Sequence, residues 1–256
     1  MARAKKGFLI IGNWKMNPDT REEASALFSA VARAAKQAAQ TAVAVAAPMP
    51  FIAELARKGS PVALIAQDVS EHPSGSFTGS VSAREAQSIG AEYALVGHSD
   101  RRRAGDTEAT VSAKAARAVE AGLRIVACVG EEERDGHARY LKAVRDQVLS
   151  IIAAVGPKNA RSVIFAYEPV WAVGKSYDTA LKPAEIHEMS IYIKKVAIEA
   201  LGKKEGLKAT VLYGGSVDAE NAKHILRDAS IDGLLIGRQS LDPKAFSEII
   251  QYADSL

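Results

Sequence analysis

The stretch Tyr-Glu-Pro-Val-Trp at 167–171 sets one carboxylate, Glu168, between an aromatic ring and a proline, at the end of the apolar run 162–166. A carboxylate with little water around it accepts protons more readily than a hydrated one, so Glu168 is placed to act as a general base. One half of a structural ion pair is the alternative that these residues leave open. Asn13 and Lys15, two apart in Gly-Asn-Trp-Lys-Met-Asn, fall on the same side of an extended backbone. Both can point to one place, although a lone lysine after a strand is commonly just a solvated charge. Trp14 between them reads as packing. His98 follows Gly97 and precedes a helix start that Ser99 or Asp100 can cap. The positive end of a helix disfavours a second positive charge, so a neutral, hydrogen-bond-donating imidazole is expected there, with a purely structural histidine as the alternative. Near the C-terminus, Gly214-Gly215-Ser216 and Gly237-Arg238 combine small residues with following helix starts, a pattern that offers backbone N–H groups to an anion.

Something must bring these scattered groups together. Short β-branched runs at 8–12, 42–46, 62–66, 93–97, 124–129, 162–166, 209–213 and 233–237 read as eight strands, apolar throughout as parallel strands buried on both faces are. Amphipathic, alanine-rich segments such as 21–40, 107–121, 140–154, 183–201 and 219–227 are long enough to be crossover helices. Strand and helix alternating over this length predict an α/β fold, a closed (β/α)8 barrel forming one domain over 1–256, with a doubly wound open sheet as the competitor. No linker divides the chain. In such a barrel the chemistry sits at the C-terminal ends of the strands, which is where every residue named above falls. The segment after Glu168, with its proline and glycine, suits a lid.

Composition narrows the classes. The chain has 256 residues, with 33 basic and 30 acidic side chains spread along it, so no nucleic-acid stripe is indicated, while a small anionic ligand remains compatible. Cys128 is the only cysteine, which excludes an intrachain disulfide and a cysteine metal cluster. No run reaches the roughly 20 apolar residues of a membrane helix. A cytoplasmic protein with no nucleic-acid or membrane partner and no cysteine-held metal is expected.

The segments GNWKMN, AQDVS, GSFTG, VGHSDRR, ACVGE, AYEPVWAVG, YGGSV and DGLLIG, in this order, resemble those of the triosephosphate isomerases over essentially the whole chain. The resemblance implies a TIM barrel that interconverts dihydroxyacetone phosphate and D-glyceraldehyde 3-phosphate in glycolysis and gluconeogenesis without a cofactor. By this resemblance Asn13 and Lys15 bind substrate, His98 is the electrophile and Glu168 the base. Gly174, Ser216 and Gly237 match the phosphate-binding residues. The loop around Phe77 and Thr78 matches the family's dimer loop and implies a homodimer.

Five departures accompany the likeness. Arg238 stands where a second glycine is usual; it keeps the backbone N–H, and its side chain must turn away or add a charged contact. Asp100 replaces a glutamate, Ser80 an acidic residue and Asp68 an asparagine. The lid beyond Gly174 is two residues longer. Arg238 and that lid motivate an alternative substrate, another short phosphorylated ketose such as a tetrulose phosphate.

Overall fold

The computed structural model describes residues 7–135, 137–172 and 181–256. The strands are β1 (Leu9–Asn13), β2 (Ala42–Ala47), β3 (Val62–Ala66), β4 (Tyr93–Val96), β5 (Arg124–Val129), β6 (Val163–Tyr167), β7 (Thr210–Tyr213) and β8 (Gly233–Ile236). The helices are α1 (Arg21–Gln37), α2 (Met49–Leu55), α3 (Ala83–Ser88), α4 (Ser99–Arg103), α5 (Glu108–Glu120), α6 (Arg139–Val155), α7 (Pro183–Leu201), α8 (Lys203–Gly206), α9 (Asn221–Asp228) and α10 (Pro243–Ser255). Each expected strand is present, with its ends moved by no more than one residue.

All neighbouring strands are parallel, and β8 returns to β1 with Leu9 opposite Gly233 and Gly12 opposite Ile236. That pairing closes the barrel and removes the open-sheet alternative. It depends on glycine: a Cβ at Gly233 would lie 1.9 Å from the Leu9 carbonyl oxygen, closer than any side chain tolerates.

Sequence dictates the layers through strand alternation. In β2, Ala44 and Ala46 face the barrel interior while Val43, Val45 and Ala47 pack outward beneath the helices. The same parity puts Ile11 of β1, Val126 and Cys128 of β5, Ile164 and Ala166 of β6, Leu212 of β7 and Leu235 of β8 inside. Counting on by two from each inward row reaches Asn13, Gly130, Glu168, Gly214 and Gly237. The barrel therefore aims these positions at its own mouth.

Helix ends are set locally. Thr20 caps α1 by accepting from the Glu23 N–H, and Glu23 accepts in return from the Thr20 N–H. Buried Ala24, Leu27, Phe28 and Val31 then fall on one face at helical spacing. At the far end of the chain the Asp254 carboxylate accepts from the N–H groups of Ala39, Gln40 and Thr41 at 2.9, 2.7 and 2.8 Å, tying α10 to the entry of β2. Those backbone bonds hold its carboxyl below the usual aspartate range. No helix among the described residues is long and apolar enough to cross a membrane.

Candidate active site

A cleft of about 440 Å³ opens at the C-terminal end of the barrel, lined by Asn13, Lys15, His98, Glu168, Ser216, Gly237 and Arg238 among others. These seven candidate site residues thus share one cavity. Gly174 and the lengthened lid lie outside the described residues. Phe77 and Thr78 are on a separate surface loop that does not line this cleft.

Glu168 is 3% exposed and His98 5%. The two meet directly, His98 Nε2 lying 3.1 Å from Glu168 Oε1. The other carboxylate oxygen, Oε2, accepts from the Ser99 N–H at 3.0 Å. His98 Nδ1 accepts from the Asp100 N–H at 3.1 Å, closer than the Asp100 carboxylate oxygen at 3.5 Å. A ring nitrogen that accepts an N–H carries no proton of its own, so the imidazole is neutral with its hydrogen on Nε2, the nitrogen nearest Glu168. The sequence pointed to Ser99 or Asp100 as the cap of α4; His98 is the cap instead, because Gly97, at φ 70, turns the chain and swings the imidazole over the first turn. A Cβ on Gly97 would lie 2.9 Å from Val111 and 3.0 Å from the Cys128 carbonyl oxygen.

Lys15 reaches the cleft by a turn rather than by simple alternation. Its φ is 54, a left-handed conformation that costs a residue with a Cβ about 1–2 kcal/mol. Both of its backbone groups are held: the N–H donates to Asn13 Oδ1 at 3.0 Å, and the carbonyl accepts from the Gln67 amide nitrogen at 2.7 Å. Gln67 also donates to the Ala46 carbonyl at 2.9 Å, so it pins the β1 loop to the end of β2. The ammonium rests 3.0 Å from Asp100 Oδ2. Burial works against the charge on Asp100, but its contacts with Lys15 and Arg103 favour the carboxylate, and the carboxyl stays below its ordinary range.

The wall opposite consists of the strand ends at Gly214–Ser216 and Gly237–Arg238. Gly215 has no room for a side chain, since a Cβ there would lie 2.2 Å from the Tyr213 hydroxyl. Ser216 Oγ donates to the Ala172 carbonyl at 2.9 Å, and the Ser216 carbonyl accepts from Asn221 Nδ2 at 3.1 Å. Among the described residues, the N–H groups of Gly215, Ser216 and Gly237 make no hydrogen bond. Arg238, exposed at the rim, makes no ion pair among them either.

Behind Glu168, Gly130 lets two strand ends cross, with the Glu168 N–H donating to the Val129 carbonyl at 2.8 Å. Cys128 lies beneath; burial pushes its thiol well up, and the nearby Glu168 carboxylate adds to the shift, so it stays uncharged. Buried Glu131 gathers the hydroxyl of Tyr167, the indole of Trp171 and the guanidinium of Arg134 on a single oxygen, at 2.9, 3.0 and 3.2 Å. Sequence patterns single out neither Gln67 nor Gly130 by chemistry. Their one signal is position, directly after a strand.

The family model described as triosephosphate isomerase matches residues 8–253. Proteins named triosephosphate isomerase that resemble the chain include one from Rubrobacter xylanophilus, 38% identical over 250 residues that cover 96% of each chain. Another, from Halorhodospira halophila, is 39% identical over 250 residues, covering 96% of this chain and 97% of its own. A third, from Cupriavidus necator, is 40% identical over 246 residues, covering 94% of this chain and 97% of its own. With a match of that extent joined to a barrel whose strand ends hold a glutamate, a neutral histidine and a lysine in one cleft, the chain belongs to the triosephosphate isomerase family.

Proposed function

We propose that this cleft interconverts dihydroxyacetone phosphate and D-glyceraldehyde 3-phosphate through an enediolate, with Glu168 as base, His98 as hydrogen-bond donor and Lys15 as the fixed cation. The pairing of a glutamate base with a neutral histidine is the family's own. Glu168 removes a proton from the carbon beside the carbonyl; the C–H electron pair forms the new double bond, and the carbonyl pair moves onto oxygen. His98 Nε2–H and the Lys15 ammonium stabilise that developing charge in a site with little water. The hydroxyl proton on the first carbon's oxygen then passes to the former carbonyl oxygen, and the same carboxyl group returns its proton to the second carbon while the first oxygen's electron pair closes the new carbonyl. Nothing in the cleft favours a longer ketose.

One observation supports this reading: His98 Nε2, the nitrogen whose hydrogen the substrate oxygen needs, stands 3.1 Å from the Glu168 carboxylate, so the donor and the base reach adjacent atoms of one small substrate. Asn13 lines the floor, while Gly215, Ser216 and Gly237 offer N–H groups to the phosphate, with Gly174 assigned to the same task by resemblance. Arg238 adds its own N–H and a cation at that rim.

A coupled assay in both directions tests the proposal, with phosphoglycolate as an enediolate-like inhibitor. Turnover of both triose phosphates is expected, together with inhibition and a raised KM in Arg238→Gly. Absence of both turnover and inhibitor binding defeats it.

The proposal extends to a homodimer of single-domain, cytoplasmic subunits. Support comes from the loop at 71–80, where Phe77 is 42% exposed and stacks on His72 with ring centroids 3.6 Å apart, and from Met16, 91% exposed beside Lys15. Large apolar side chains left in water beside a site suit burial by a second subunit. The lone buried thiol suits a reducing compartment. Changing Phe77 and Thr78 to Glu together is expected to lower the sedimentation coefficient and the activity in step. An unchanged sedimentation coefficient argues for a different oligomer.

A further inference from the structure

Asp68, one residue past the clamp Gln67, receives cations from two helices. The Lys114 ammonium, buried on α5, lies 2.8 and 3.0 Å from its two carboxylate oxygens, and Arg101 Nε on α4 lies 2.9 Å from Oδ2. Asp106, in the turn joining those helices, takes the other side of Lys114 at 2.7 Å and approaches Arg101 at 3.6 Å. Two acids and two bases thus close a quartet without net charge. A buried ammonium requires such partners, and the carboxylate matters. Asparagine in its place would have one accepting oxygen, and its NH2 would have to face a cation.

The quartet sits where the segments carrying the chemistry meet. On one side, the peptide between Gln67 and Asp68 joins it to the amide that holds the strained Lys15 backbone. On the other, Arg101 belongs to the same short helix as Ser99 and Asp100, whose N–H groups hold Glu168 and His98. Lys15, His98 and Glu168 are therefore all held by segments that converge on one carboxylate, although Asp68 does not line the cleft.

We propose that Asp68 is a positioning residue for the isomerase site, fixing the Gln67 clamp and helix α4 relative to each other so that Lys15 and His98 converge on the same oxygen. The proposal rests on the isomerase function given above. Its signature follows from which parts it touches. The phosphate wall stands at the ends of β7 and β8, away from the quartet, so substrate affinity is largely retained when Asp68 is lost. Groups that act on the transition state shift.

The test uses the full-length wild type, Asp68→Asn and Asp68→Ala, each followed by kcat and KM for glyceraldehyde 3-phosphate, phosphoglycolate affinity, circular dichroism and sedimentation. Asp68→Asn is expected to lower kcat about tenfold with KM within about twofold, and to weaken phosphoglycolate by the same factor of about ten. Fold and sedimentation stay those of the wild type. Asp68→Ala is expected to lose at least as much. Should the alanine variant fail to fold, the nearly isosteric asparagine variant decides. The proposal is overturned by Asp68→Asn activity within twofold of wild type, by a loss that only tracks the folded or dimeric fraction, or by failure of both variants to fold. An inactive wild type defeats the isomerase function itself, and this proposal with it, before any variant is compared.

Discussion

Glu168→Gln is expected to lower kcat by about 1,000- to 10,000-fold, near the upper end of what a positioned general base contributes. Charge loss is only part of the reason. One carboxylate oxygen accepts from the Ser99 N–H at 3.0 Å, and the other lies 3.1 Å from His98 Nε2. A carboxamide has one oxygen to offer. Whichever way it turns, its NH2 meets another N–H. The histidine cannot relieve this by moving its proton to Nδ1, because that nitrogen faces the Asp100 N–H. One buried donor is left unsatisfied, at a cost of about 1–3 kcal/mol, and the glutamine side chain leaves its resting place. Glu168→Asp keeps the charge but falls one methylene short, so an intermediate loss of about 100-fold is expected from misplacement alone. Steady-state rates for both variants, compared with their phosphoglycolate affinities, check the order. A Gln variant within tenfold of wild-type kcat would assign the base elsewhere.

How much of this site sequence makes legible follows from how each group is delivered. Asn13 and Glu168 continue inward rows that begin at Ile11 and Ile164, so period-two alternation plus a barrel's preference for strand C-termini is enough to find them. Lys15 shares that parity with Asn13, yet its φ of 54 shows that a clamped turn delivers it, and alternation found it for an incomplete reason. His98 breaks the parity of β4, since Gly97 redirects the chain. A glycine followed by a helix start hinted at the imidazole, but not that the imidazole itself caps the helix. The contacts made by Gln67 with Lys15, by Ser99 with Glu168 and by Asp68 with Lys114 join positions 52, 69 and 46 residues apart. Such pairs have no period, and their side chains give no local sign of the partner. They emerge only once the barrel has set which strand ends adjoin.

Gly130→Ala is expected to lower turnover severely although it removes no functional group. A Cβ at this position would lie 2.0 Å from the Glu168 carbonyl oxygen, 2.6 Å from its carbon and 3.2 Å from Pro169 N. All three are backbone atoms, so no side chain can rotate away. Nor can the two segments easily part, because the Glu168 N–H bonds the Val129 carbonyl at 2.8 Å and the Val170 N–H bonds the Glu131 carbonyl at 2.9 Å. Gln147 fixes Gly130 from behind, accepting from its N–H at 2.8 Å and donating to its carbonyl at 3.1 Å. The methyl group must therefore displace the backbone that carries the base. A shift of about 1 Å at a catalytic group costs about 100-fold in rate, whereas overpacking costs about 1–3 kcal/mol of stability. For a chain of this length each kcal/mol lowers Tm by about 2–4 °C, which leaves the variant folded at assay temperature. Activity and stability should consequently separate: a large fall in kcat with a modest fall in Tm. Phosphoglycolate affinity supplies the second check, because the phosphate wall on β7 and β8 is untouched while the Glu168 side moves. If Gly130→Ala retains wild-type kcat, the crossing of β5 and β6 does not set the position of the base.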